Sequence, residues 1–514
     1  MEIATLIGRL RELPGFPSDG VPIEVRQTHA SVVVIAGDDV YKLKKPVNFG
    51  FLDYSTVKRR RAMCRAEVRL NRRLAPTVYL GTGELRPNAG EPGDWVVHMR
   101  RLDDAASLEA MVRDRRASPG DMERAAELVA RFHREARRGP DADAWGSPAV
   151  IVANVAENFE QIAPFVGQAL SPAMFDSLRS YGDEVLLSKR ALFEARVSAG
   201  CIAECHGDLR AEHVYFEPEG ISVIDCVEFS ERYRCQDVAS DVAFLTMDLE
   251  RLGRPDLAQR FLARYEELTP YRVRDVLDFY GCYRAVVRGK VACLRSAGEG
   301  MSDSQREAAI IEAIGYFGLA LRLARGEPRP LLAVMCGLTG TGKSTLAERL
   351  GPALGTEVLV ADVVRKELAG LAANQRVADA PDAGLYSERM NERVYHELLR
   401  RARLLLRSGR SVLLDGTYRR EADRAAAREA AERCGARFVA VECVAAEPLI
   451  RDRLDRRWAA GTSPSDGRWE VYLAQKAAYE PPRELAAAEH IVVDSAATLA
   501  DQVLQAVDRL AKSH

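Results

Sequence analysis

Apolar runs and polar breaks give the two parts of this chain different textures. Beyond residue 330, short apolar runs alternate with helical stretches. A strand is predicted over 331–336, a helix from Lys343, strands over 357–360, 411–415 and 437–443, helices over 363–370, 386–407 and 420–434, and a last strand near 490–493. Such alternation reads as a parallel sheet covered on both faces, with ligands at the carboxyl ends of its strands. The N-terminal part opens on a hairpin, Ser31 to Ile35 and Val40 to Lys44 around Gly37-Asp38-Asp39, then a helix of about 57–74 and a strand pair ending at 95–99. After residue 105 it is mostly helical. Gly326-Glu-Pro328-Arg-Pro330 separates a helix over 305–324 from the first C-terminal strand, and proline and glycine there place a domain boundary near residue 328.

In the helix of 57–74 the apolar stripe Met63, Leu70, Leu74 includes an acid, Glu67, at i+4 from Met63 and i−3 from Leu70. A carboxylate on a core-facing stripe requires a cation, and Lys42 and Lys44 project from one face of the preceding strand. The pattern pairs Glu67 with one of these two. Only ten of the 73 basic residues are Lys, so three of them at Lys42, Lys44 and Lys45 are a concentration.

A chain of 514 residues exceeds one compact core, and ~150 residues per domain suggests three or so folding units. With 47% hydrophobic and 29% charged residues the composition is that of an ordinary globular protein, and a net charge of −2 gives no general attraction to nucleic acid or anionic membrane. The first ten residues lack a secretory pattern and no run of 18 apolar residues occurs, so the expectation is a cytoplasmic protein without a membrane partner. Ten cysteines without a C-x-x-C pair read as reduced thiols, and Cys201, Cys205, His206 and His213 lack the usual spacing of a zinc site. Lys58-Arg-Arg-Arg61 reads as a solvated helix face, with nucleic-acid binding the lesser alternative.

The C-terminal chemistry starts at Gly337-Leu-Thr339-Gly340-Thr341-Gly342-Lys343-Ser344, followed by Thr345. This fits G-x-x-x-x-G-K-[ST], in which backbone N–H groups cradle phosphates, Lys reaches the β/γ oxygens and Ser holds Mg²⁺. Asp362, just off a strand and one turn before Arg365, suits a base that takes the acceptor hydroxyl's proton while Arg365 anchors the acceptor. The competing reading is a helix cap. Asp415 ends an apolar strand, where a carboxylate orients hydrated Mg²⁺. In Arg451-Asp-Arg453-Leu-Asp-Arg456-Arg457, near a Gly461–Pro464 loop, an arginine such as Arg453 or Arg457 is placed to close over ATP. Together these features resemble the small-molecule P-loop kinases, a superfamily that includes gluconate kinases, zeta-type toxins and polynucleotide 5′-hydroxyl kinases.

A second phosphate signature precedes it. Asp208 in Cys205-His206-Gly207-Asp208, His213 five residues on, and Asp225 at the end of Val223-Ile224 have the spacing of a kinase base and two metal ligands. The N-terminal part resembles the aminoglycoside phosphotransferase family, whose loop reads H-G-D-x-x-x-x-N, and the likeness extends to Asp237 and Asp241. The resemblance favours Lys42, paired with Glu67, as the phosphate contact. His213 stands where that family has Asn, and imidazole is a poorer ligand for Mg²⁺ than an amide oxygen. Arg284 and Arg288 share a helix face; if it lines the acceptor cleft, the acceptor is neutral or anionic.

The expected architecture is an α+β two-lobed kinase-like domain over 1–327, with a small lobe of about 1–99 and a helical lobe of about 103–325, followed by an α/β P-loop kinase domain with a parallel sheet over 328–514. The expected activity is ATP- and Mg²⁺-dependent phosphorylation of hydroxyl groups on small-molecule acceptors by two modules. The alternatives are a C-terminal polynucleotide 5′-hydroxyl kinase and a non-catalytic N-terminal ATP sensor that regulates the other module.

Overall fold

The structure is a computed structural model. It describes residues 3–512 apart from 18–19, 29, 49, 51, 87–92, 299, 327–328, 373–383 and 461–467. Pro328 and the Gly461–Pro464 loop thus lie outside the described residues. The chain forms two compact units, one of Met1–Ala153, Ser188–Asp248 and Leu257–Leu277, the other of Asn154–Leu187, Leu249–Asp256 and Asp278–His514.

In the first unit, β1 (Ile23–Gln27), β2 (Ser31–Ala36), β3 (Asp39–Lys44), β4 (Tyr79–Leu85) and β5 (Asp94–Arg100) form an antiparallel sheet of order β1-β2-β3-β5-β4. Alternation along β3 sends Tyr41 and Leu43 into one apolar cluster with Val34, Leu85 and Val96, which leaves Lys42 and Lys44 on the opposite face. That other face carries the helix α1 (Val57–Asn71), capped by the Thr56 side chain and packed through Cys64 and Val68 against Val97 and Met99. Further on, β6 (Ile202–Glu204) pairs with β9 (Cys235–Asp237), and β7 (Val214–Glu217) forms a hairpin with β8 (Gly220–Val223). Asp208 lies between β6 and β7, Asp225 just after β8. The helix α2 (Val238–Arg251) follows β9 directly.

In the second unit, β10 (Leu331–Cys336), β11 (Glu357–Val360), β12 (Val412–Asp415), β13 (Arg437–Val444) and β14 (His490–Asp494) form a fully parallel sheet of order β11-β12-β10-β13-β14. Its central strand β10 is apolar throughout, and burying each Val or Leu contributes about 1.5–3 kcal/mol, which fixes the register and hence the edge where the strands end. The packing division falls earlier than the Pro/Gly junction near residue 328. The helices α3 (Leu277–Ser296) and α4 (Asp303–Ala324) belong to the second unit. Gly315 of α4 explains part of this: a Cβ there would lie 3.0 Å from Ala353 Cα, on the helix α5 (Lys343–Leu354) that follows β10. Only a residue without a side chain allows the two helices to approach so closely.

Candidate active sites

At the carboxyl edge of the parallel sheet, β10 runs into a turn at Gly337, where φ is 124° and a Cβ would sit 2.6 Å from the Cys443 carbonyl oxygen. Gly337→Ala is expected to cost about 1–3 kcal/mol locally, read as lost hydrogen-exchange protection of the Gly337–Gly342 amides. The turn feeds α5, whose free N–H groups make an anion-binding end. Lys343, the first residue of α5, is buried and donates to the Leu338 carbonyl at 2.6 Å. Burial, opposed by the nearby Asp415 carboxylate, lowers its pKa. Asp415 ends β12 and accepts a hydrogen bond from Ser344; burial raises its pKa, with that bond and Lys343 opposing. Thr341 caps the turn from within through the Leu338 carbonyl at 2.8 Å, and the Thr339 N–H donates to Gln475 at 2.9 Å.

Asp362 is not a cap. In the helix α6 (Ala361–Leu368) Val360 holds the N-cap position with no side-chain cap, and Asp362 lies in the first turn with its carboxylate 2.5 Å from Arg365 Nη1. Arg365 also donates to Asn391 at 2.9 Å and stacks over the Tyr386 ring at 4.8 Å. Three partners therefore fix this guanidinium. A cavity of about 550 Å³ joins the turn, Lys343, Ser344 and Asp415 to Asp362 and Arg365, and Tyr395, Arg419, Arg420 and Asp423 also line it. Of the arginine cluster on the helix α7 (Glu447–Ala460), Arg457 lines this cavity, and burial lowers its pKa against the pull of Asp362. Arg453 instead donates to Ser495 Oγ and O at 2.8 and 2.6 Å, Arg456 pairs with Asp452, and Arg451 stacks on Trp469. Asn391, Tyr386, Tyr395 and Gln475 had no motif to announce them: chain folding alone brings them to the sheet edge.

In the first unit the choice between Lys42 and Lys44 dissolves, because both bind Glu67. Lys42 Nζ lies 2.9 Å from one Glu67 oxygen and Lys44 Nζ 2.7 Å from the other, and Glu67 is fully buried. Burial would push the Glu67 carboxyl up, but the two ammonium groups hold it below its usual range. Lys44 also pairs with Glu228, whereas Lys42 reaches Asp225 at 2.6 Å. Lys42 is thus the lysine that links the strand to the carboxylate after β8. Asp225 has φ 65° and its N–H donates to the Tyr79 hydroxyl at 3.1 Å. Burial opposes its ionisation, but the Lys42 ammonium keeps its pKa far below the usual value.

Asp208 is held by both sides of the Arg210 fork at 3.0 and 3.2 Å. The loop backbone around it is fixed from α2: Asp241, fully buried, accepts from the N–H groups of His206 at 2.6 Å and Gly207 at 2.9 Å, and Asp248 accepts from Ala211 at 3.0 Å. Asp237 instead anchors Arg196 at 2.5 and 2.8 Å. The His206 ring contacts the Ile224 carbonyl at 3.0 Å and accepts from the Asp208 N–H at 3.3 Å, so it serves the loop and not a zinc site. Among the described residues the group with converging metal-ligand atoms is His133, Cys205 and Asp241, and Asp241 is already committed to backbone N–H groups. All ten cysteines are free thiols.

Burial, opposed more weakly by the Asp241 carboxylate, lowers the His206 pKa from 6.5 to about 4. The unfolded chain takes up this proton at a higher pH than the folded one, so stability is complete above about 6.5 and is lost as pH falls toward about 4. The first unit is expected to lose about 3 kcal/mol over that window through this group. Urea unfolding at several pH values checks it, and His206→Gln should flatten the slope.

The face of α3 with Arg284 and Arg288 does not support the charge argument made from sequence. Arg284 is 5% exposed, and Arg288 lies over the Tyr316 ring and 3.9 Å from Glu312, both on α4. These arginines belong to helix packing within the second unit. Among the described residues no helix is long and apolar enough to cross a membrane.

The chain is similar to several known proteins. The AAA domain family AAA_33 matches residues 332–482. The uncharacterized protein Rv2004c of Mycobacterium tuberculosis (strain ATCC 25618 / H37Rv) is 37% identical over 461 residues, 89% of this chain and 90% of its own length. The uncharacterized protein Mb2027c of Mycobacterium bovis matches with the same identity and extent. A choline/ethanolamine kinase family protein from Mesorhizobium loti aligns over 63% of this chain and 100% of its own, at 14% identity and TM-score 0.40. A gluconokinase from Sinorhizobium meliloti 1021 aligns over 36% of this chain and 93% of its own, at 22% identity and TM-score 0.27. The antiparallel sheet with its lysine strand and Asp208 loop makes the N-terminal part kinase-like in fold, and the parallel sheet with its glycine turn makes the C-terminal part a P-loop kinase domain.

Proposed function

We propose a function for a chain that belongs to the same family as these mycobacterial proteins: it is a phosphotransferase with two ATP-dependent kinase modules, each acting on a hydroxyl acceptor. The observation that carries the reading is the single cavity that holds the glycine turn, Lys343 and the Ser344–Asp415 pair together with Asp362 and Arg365.

In the C-terminal module the amides of Gly340 and Gly342, with Ser344 and Thr345, receive the triphosphate, while Gly337, Thr339 and Thr341, whose N–H groups bond to Thr417, Gln475 and Leu338, shape the turn. Lys343 leaves the Leu338 carbonyl to contact the β/γ oxygens. Ser344 and Asp415 fit a hydrated Mg²⁺, which neutralises the phosphate charge when bound. Asp362 accepts the acceptor's hydroxyl proton as the new O–P bond forms and the bond from the γ-phosphorus to its bridging oxygen breaks, leaving ADP. Arg365, fixed by Asn391 and Tyr386, orients the acceptor, and Arg457 supplies positive charge to the moving phosphoryl group. Arg453 shapes the turn through Ser495. Arg419 and Arg420 bring guanidinium groups to the same cavity and Asp423 a carboxylate that accepts from Arg420, a lining of donors and acceptors that suits a small polyhydroxylated or anionic acceptor.

In the N-terminal module Asp208 is the base, Asp225 and His213 are the metal-facing groups, and Lys42, held by Glu67, is the phosphate contact. The test is a screen of metabolite and oligonucleotide pools with ATP labelled in its γ-phosphate, run on wild type, Asp208→Ala and Lys343→Ala. Labelled product lost in one variant assigns that activity to its module; a product set unchanged in both variants refutes the reading.

A further inference from the structure

The His213 ring is oriented by its own loop. Its Nδ1 lies 2.9 Å from the Asp208 carbonyl oxygen, a group that can only accept, so the ring's proton is on Nδ1 and the Nε2 lone pair faces outward. A neutral imidazole whose second nitrogen donates to a backbone carbonyl is the arrangement metal-ligating histidines use, because that bond fixes both tautomer and ring direction. The Nε2 lone pair faces Asp225 Oδ2 at 3.8 Å and Glu212 Oε1 at 3.6 Å. Two donors bonded to one ion at about 2.0–2.2 Å lie no more than about 4.4 Å apart, and both separations fall inside that limit. The ring is 8% exposed, so this direction is held by packing.

The charge now facing these donors is a guanidinium. Arg210 Nη2 lies 3.3 Å from His213 Nε2 and also pairs with Glu212 and Asp208. A cation therefore already occupies this corner, where the imidazole lone pair lies within 4 Å of each of two carboxylates. A divalent ion bound there takes the place of that guanidinium.

We infer that His213 turns the N-terminal nucleotide position into a mixed nitrogen and oxygen site that takes a first-row transition-metal ion in preference to Mg²⁺. Mg²⁺ demands oxygen ligands and dehydrates reluctantly, whereas an imidazole nitrogen gains affinity for the transition ions. The inference rests on reading the Asp208 loop as nucleotide-binding. It sets this module apart from the C-terminal one, where Ser344 and Asp415 offer oxygen alone.

The test uses the full chain with Mn²⁺ and a non-hydrolysable ATP analogue, read by pulsed electron paramagnetic resonance on protein labelled with ¹⁵N-histidine, and needs no turnover. A ¹⁵N coupling to bound Mn²⁺ that disappears in His213→Asn is the expected result. The preference for Mn²⁺ over Mg²⁺ at that site should then fall by about tenfold or more. Wild-type spectra in which Mn²⁺ and the analogue are bound at both modules without histidine coupling, or coupling that survives in His213→Asn, would overturn the inference. Absence of a second nucleotide site in the wild type would instead remove the functional reading beneath it.

Discussion

Replacing Lys343 with alanine is expected to lower phosphoryl transfer at the C-terminal site by at least about 10²–10³-fold. The reason lies in its position. The side chain is buried, tethered to the Leu338 carbonyl at 2.6 Å and close to Asp415, so it sits on the floor of the turn where the phosphate charge must be met. Its charge is poorly solvated there, as its lowered pKa records, and an incoming polyanion gives it the partner that burial withholds. Lys343→Met keeps the volume and should lose as much activity as Lys343→Ala, because charge and not packing is removed. Steady-state turnover of labelled ATP with Asp208→Ala as background isolates this site, and a fall in kcat below tenfold would count against the assignment.

The second large effect concerns stability. Glu67→Ala is expected to destabilise the first unit by about 3–5 kcal/mol, because it strips a buried carboxylate from two buried lysines at once. Lys42 retains Asp225 and Lys44 retains Glu228, so the two ammonium groups then face each other with less compensation. An exposed pair supplies the contrast: Glu123→Ala, which removes the surface partner of Arg260, should cost under about 1 kcal/mol. Urea unfolding followed through hydrogen exchange of the β3 and β5 amides separates the two outcomes. Equal losses for Glu67→Ala and Glu123→Ala would mean that the Lys42–Glu67–Lys44 cluster has no special role.

The sheet of the C-terminal part was legible because its strands are apolar on both faces and bounded by helices, which leaves little choice of period. Asp415 was legible for the same reason, as a carboxylate that ends such a strand. By contrast β1, with the pattern Ile-Glu-Val-Arg-Gln, is short and lies half exposed at the sheet edge, and no expectation was drawn there. Glu67 was found because an acid interrupts an apolar stripe, but the stripe does not reveal that the carboxylate's two oxygens serve two lysines. The rest of the cavity lining escaped the sequence reading. Asn391 and Tyr395 come from one helix, Thr417 and Arg420 from the segment after β12, and Gln475 from a third place, so only folding gives them a common address. Arg284 and Arg288 misled for a related reason: shared helix spacing shows that two charges lie on one face, not what that face packs against.

Both modules' proposed chemistry starts from a bound triphosphate, and in the C-terminal one it is held where the glycine turn enters the helix beginning at Lys343. Calorimetric titration of the full chain with a non-hydrolysable ATP analogue and Mg²⁺, comparing wild type with Lys343→Ala, tests it most directly. Two binding events are expected in the wild type, with the loss or marked weakening of one in the variant. Titration curves that superimpose, or a wild type that gives no heat of binding, would contradict it.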